Sequence, residues 1–130
     1  MSPIQNAKVP AAVGPYRHTA EANGWVFASG QIPIDPETGA VVTNDIRAAT
    51  RQSLVNLSAV LGETGLTLAN VLKTTVYVTD LKDFAAVNEV YAEFFKSPYP
   101  ARACVQVAAL PKSAPVEIDA IAVRTRDLER

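Results

Sequence analysis

Two amphipathic helical stripes set among runs of strand-forming residues constrain the fold more than any other feature of the chain. Ile46, Leu54, Leu57 and Leu61 recur at helical spacing, and Phe84, Val87, Tyr91 and Phe94 do so again in a helix predicted over 81–95. Thr43 or Asn44 can cap the first helix, with Asp45 in its first turn and Gly65 as a stop; Thr79 or Asp80 can cap the second. Strand signals lie at Trp25 to Ser29, at the β-branched run Val71 to Val78, and near 101–110 and 116–124. Two helices can cover one face of a mixed sheet, which makes the class α+β. The strands offer a second apolar face: Val105, Val107, Ile118, Ala120 and Ala122 alternate with another, partly apolar set. A sheet apolar on both faces with helices for one implies an oligomer.

The 130 residues fit one domain, 1–130, without repeat or linker. Net charge is −1 with Lys and Arg dispersed, so neither a nucleic-acid footprint nor an anionic-membrane surface is expected. The single cysteine, Cys104, cannot form an internal disulfide and fits a reducing compartment. Without a signal-peptide core or a stretch of about 20 apolar residues, the chain reads as soluble and cytoplasmic.

Arg102 stands out as the one charge between Ala101 and Leu110. A guanidinium grips a carboxylate through two parallel bonds, so it points to an anionic small molecule; a structural ion pair with Glu117 or Asp119 is the plainer alternative. Were 101–110 and 116–124 a simple hairpin, Arg102 would face Val123. Glu117 would then lie about six residues away, roughly 20 Å, too far to share a ligand within one subunit. Either the hairpin is wrong or the pair acts across a subunit boundary, and the expected oligomer favours the second.

Other candidates carry less. Cys104 shares a strand face with Arg102 and Gln106, and reads as a small buried wall more readily than as a thiolate. His18 is the sole histidine, which excludes multi-histidine metal sites. Ser29-Gly30 ends a strand and could bind an oxyanion or simply turn. Gly14-Pro15-Tyr16 presents a phenol, and Asn88 lies beside the apolar stripe of the second helix. No glycine-rich phosphate loop is present.

Together these blocks resemble the RidA/YjgF family of imine deaminases along essentially the whole chain. The resemblance rests on Gly14-Pro15-Tyr16, Ala28-Ser29-Gly30-Gln31-Ile32-Pro33, Asp35-Pro36-Glu37-Thr38-Gly39, Arg51-Gln52-Ser53-Leu54, Val71 to Val78, Asn88 with Tyr91, Pro100 to Val105, and Val116 to Ala122. It implies a chorismate-mutase-like homotrimer with sites in clefts between subunits. It also implies hydrolysis of enamines and imines such as 2-aminoacrylate to 2-keto acid and ammonia, with no metal or organic cofactor. On that reading Arg102 holds the substrate carboxylate and Glu117 orients water and shuttles protons. Tyr16, Ser29, Gly30, Asn88 and Cys104 line or support the pocket. The short segment 96–99, Gln106 and Ala109 depart from the family pattern without removing a proposed group. A non-catalytic ligand-binding or chaperone-like trimer is the alternative, and an endoribonuclease or translation inhibitor a weaker one.

Overall fold

The computed structural model of the protein describes residues 8–12 and 14–125. Five strands, β1 (Thr19–Ala22), β2 (Trp25–Gln31), β3 (Val71–Val78), β4 (Ala101–Gln106) and β5 (Val116–Val123), form one sheet in the order β1-β2-β5-β3-β4. Two helices, α1 (Ile46–Gly62) and α2 (Phe84–Phe94), accompany it. β3 and β4 are parallel and every other neighbouring pair is antiparallel, so the sheet is mixed. This is the α+β architecture the sequence predicts.

The hairpin is wrong. β3 lies between β4 and β5, pairing Thr74 with Arg102 on one side and with Ala120 on the other. A parallel neighbour needs a crossover, and α2 supplies it between β3 and β4. β4 stops at Gln106, short of the predicted 110, although Val107 still donates to the Val78 carbonyl at 2.8 Å. Proline at 111 then starts a short 3₁₀ turn, Pro111–Ser113, which ladder pairing cannot accommodate.

Both helices start on aspartate. Asp45 is itself the cap of α1, accepting the Ala48 N–H at 3.0 Å, rather than a first-turn charge behind Thr43 or Asn44. Asp80 caps a 3₁₀ turn, Leu81–Asp83, that precedes α2. That turn winds at about three residues per turn and slips the phase of the stripe. Phe84, expected in the core, is instead 40% exposed, while Val87, Val90 and Tyr91 are buried. Gly65 takes φ +84° just past the end of α1, where Leu66 N–H bonds back to the Leu61 carbonyl.

Alternation sorts the sheet into two faces. Val26, Ala28, Val76, Val78, Ile118, Ala120 and Ala122 are buried with Leu54, Leu57, Leu61 and Val87 in one core. Thus Ile118, Ala120 and Ala122 serve the helix face. The other face takes its apolar surface from the alternate positions, where Trp25, Phe27 and Val105 remain 43%, 47% and 42% exposed.

Candidate active site

Arg102 follows its register partner Thr74, a buried residue, and points to the helix face. There α2 presents Phe84, Asn88 and Tyr91 at spacings of four and three, the positions that share one helical face. Arg102 Nη1 donates to Asn88 Oδ1 at 2.7 Å, and the guanidinium carbon lies 4.9 Å from the Tyr91 ring centre and 5.5 Å from that of Phe84. The Tyr91 hydroxyl is itself fixed to that of Thr74 at 2.7 Å. No ion pair found among the described residues involves Arg102, so the salt bridge to Glu117 or Asp119 is not made. A half-buried, oriented cation without a counter-ion favours binding an anion. Cys104 follows on the same face, packed against the core. Burial pushes its thiol pKa up, and the nearby Arg102 charge offsets this only in part, which keeps the sulfur protonated at neutral pH.

Glu117 is on the opposite face. It pairs with Tyr77 of β3, whereas Arg102 aligns with Ala120, three residues further along β5. Two strand spacings sideways and three residues along put the two groups about 10 Å apart in each direction, with side chains leaving opposite faces. The separation is shorter than a hairpin would give, but the sheet stands between them.

The carboxylate of Glu117 rests against Gly30. A Cβ built on Gly30 would fall 2.0 Å from Glu117 Oε2, so only glycine permits this approach. The approach is made where β2 slips register against β5 between Ala28 and Gln31. Tyr16, Ser29, Gly30, Ile32, Pro111 and Glu117 line a cavity of 470 Å³. Burial raises the Glu117 pKa above the usual carboxylate value, and the Asp119 charge raises it further. The Ser29 hydroxyl donates to the Arg17 carbonyl at 2.7 Å, so its proton is committed and only its lone pairs face a ligand. His18 is also structural: Nε2 lies 2.5 Å from the Pro10 carbonyl and Nδ1 3.3 Å from the Gln31 amide, a pattern that assigns the proton to Nε2.

The seven sequence candidates therefore form two groups, Arg102, Asn88 and Cys104 on one face, Tyr16, Ser29, Gly30 and Glu117 on the other. A family model described as Endoribonuclease L-PSP matches residues 6–124. A 2-iminobutanoate/2-iminopropanoate deaminase of Salmonella typhimurium is 49% identical over 124 residues, covering 93% of this chain and 96% of that protein. E. coli TdcF with bound serine superposes with a TM-score of 0.85 at 47% identity, covering 90% of this chain and 94% of its own. RidA from an Antarctic Psychrobacter gives 0.86 at 44% identity, covering 89% and 94%. The chain belongs to the RidA/YjgF family.

Two polar residues of this RidA/YjgF chain take roles the sequence does not point to: from the sequence Asp119 is a candidate only as an ion-pair partner of Arg102, and Asn56 is not one at all. Asp119 accepts the Thr75 N–H at 3.2 Å and the Tyr77 hydroxyl at 3.1 Å, holding a second negative charge on the face of Glu117. The same burial and the Asp119 charge push the Tyr77 pKa up, so its hydroxyl stays a donor. Asn56 on α1 is wholly buried and bonds to the backbone beyond Gly30. Its signal was an amide between Leu54 and Leu57, on a helix stripe otherwise read only for its apolar residues. Among the described residues, no helix is long and apolar enough to cross a membrane.

Proposed function

We propose that the protein hydrolyses the imine and enamine forms of small 2-amino acids, such as 2-aminoacrylate, to 2-keto acids and ammonia. The observation that carries this reading is the division of the site: a guanidinium with no ion pair among the described residues on one sheet face and a carboxyl of raised pKa in a cavity on the other. The identity to the Salmonella deaminase supplies the reaction class.

Copies assembled as a ring bring Arg102 of one subunit to Glu117 of the next, in the homotrimer the resemblance implies. Arg102 then holds the substrate carboxylate through two charge-assisted bonds, with Asn88, Tyr91 and Phe84 keeping the fork oriented. Water held by ionised Glu117 adds to the imine carbon. The C–O bond forms as the C=N π pair moves to nitrogen, while Glu117 takes a proton from the water and passes it to that nitrogen. The carbinolamine collapses: its hydroxyl proton moves to nitrogen, the C–N bond breaks, and ammonia leaves as the keto group forms. Tyr16 closes the cleft, Ser29 and Gly30 wall it, and Cys104 is a wall rather than a nucleophile. Each step moves protons and electron pairs only, which this set of side chains can do.

An RNA-cleaving reading, which the family model's description raises, has less support. The net charge is −1, and the one histidine is occupied by Pro10 and Gln31. The test is keto-acid release from 2-aminoacrylate generated in situ by a dehydratase, with wild type compared to Arg102→Ala. Acceleration by the wild type that vanishes in the variant is the expected result. A wild-type rate equal to buffer would remove the deaminase reading for this substrate.

A further inference from the structure

Asn56 has no exposed surface. Its Nδ2 donates to the Ile34 carbonyl at 2.8 Å and the Ile32 carbonyl at 3.2 Å, and its Oδ1 accepts from Gln52 Nε2 at 2.9 Å. Both amide hydrogens are thus matched to carbonyls of one short segment. That segment lies past Gln31, which makes the last register pair of β2 with β5. The Ile32 carbonyl also accepts the Ile34 N–H at 2.8 Å, whereas for the Ile34 carbonyl Asn56 supplies from a helix the donor that a neighbouring strand would otherwise supply. The segment begins beside Gly30, the residue in closest approach to Glu117, and contains Ile32, which lines the cavity.

We propose that Asn56 is a positioning residue: by anchoring the Ile32 and Ile34 carbonyls it holds Gly30 against the Glu117 carboxylate and so keeps that side of the cavity closed to water. The inference rests on the reading of Glu117 as the group that handles the water. Asn56 acts through backbone alone. The titratable groups around Glu117 are Asp119 on the same strand, Tyr77 on β3 and Tyr16 across the cavity, and none is among the hydrogen-bond partners of Asn56. A merely structural amide would stabilise the fold without touching the ionisation of Glu117.

The experiment compares Asn56→Ala with Val60→Ala, a wholly buried core position on the same helix. The full chain in its native assembly is measured by amide hydrogen exchange, by carboxyl-carbon NMR titration of Glu117, and by kcat and KM. Both variants lower Tm. Asn56→Ala alone accelerates exchange at Gly30, Gln31, Ile32 and Ile34, and moves the Glu117 midpoint down toward 4.5 as water replaces the wall. Its kcat falls about tenfold or more with KM little changed, because Arg102 is untouched. Gln52→Ala removes only the bond that orients the amide and gives a milder form of the same changes, which keeps the test open if Asn56→Ala does not fold. If the Asn56 and Gln52 variants leave Glu117 titration and local exchange as Val60→Ala does, the proposal fails. A wild type without deaminase activity leaves those two readouts intact, so the two failures are distinguishable.

Discussion

The arginine half and the carboxylate half of the proposed site are built by different means. Arg102 is held by side chains of regular elements: a strand register, a helix presenting three residues on one face, and a tyrosine fixed by a buried threonine. Glu117 is held by backbone, at the irregular end of β2, with Gly30 pressed against its carboxylate. The difference follows from what each group must do. A guanidinium stays charged in any surroundings and needs only orientation. A carboxyl whose proton affinity is raised above the ordinary carboxylate range must be drier than solvent. Close backbone approach excludes water where a longer side chain would compete for the same space.

The sharpest way to break this division is to mix the halves. Arg102→Ala and Glu117→Gln are each expected to lower kcat/KM by at least ~100-fold, through loss of the anchor and of the proton shuttle respectively. In a ring whose sites draw one group from each of two neighbours, random equimolar mixing pairs an intact Arg102 with an intact Glu117 in about one site of four. Refolding the two variants together should therefore restore about a quarter of wild-type activity, by keto-acid release. A mixture as inactive as its parents would place both groups within one subunit's site, which the sheet between them makes hard to reconcile with this fold.

Gly30→Ala sharpens the comparison from the carboxylate side. Its Cβ would lie 2.0 Å from Oε2, so Glu117 must swing out of place. A displacement on that scale is expected to reduce kcat by roughly 10²-fold. Binding of a non-reacting 2-keto acid, measured by calorimetry, should change little, because the anchor is on the other face. Equal losses in binding and turnover would show that the two halves are not independent.

Much of this was legible in the residues. The β-branched run gave β3 its bounds at Val71 and Val78, and the helix stripes gave the class, but Ile118, Ala120 and Ala122, read as part of a second face, belong to the helix-side core. What misled was connectivity. Adjacent strand signals with a proline-containing link read as a hairpin, yet β3 is inserted between β4 and β5, since α2 carries the chain across as a parallel crossover. Strand periodicity assigns faces within a strand and says nothing about which strand lies beside which. The same blindness hid what the site's supports bond to. Asn56 and Asp119 matter through backbone groups brought to them by topology, the Ile32 and Ile34 carbonyls and the Thr75 N–H, and no spacing in the chain announces those partners. Arg102 and Glu117 were visible because charge in a strand is conspicuous by itself.

The mildest test concerns how the carboxylate half sets its proton affinity. Burial is the larger cause of the raised Glu117 pKa and the Asp119 charge the smaller. Asp119→Asn keeps an oxygen for the Thr75 N–H and removes the charge. In the proposed mechanism Glu117 works as the ionised form, so the rate is lost as pH falls through its pKa. With the charge gone that pKa drops, and the acid limb of the pH–rate profile should move down toward 4.5 without reaching it, because burial persists. The rate above the limb should scarcely change. The same sign governs stability. A carboxyl raised by folding favours the folded state at pH below its unfolded value, and this contribution is lost as pH rises through the folded pKa, so Asp119→Asn should flatten that loss. An acid limb that stays fixed, or climbs, would show that the field of Asp119 does not reach Glu117 and that dryness alone tunes it.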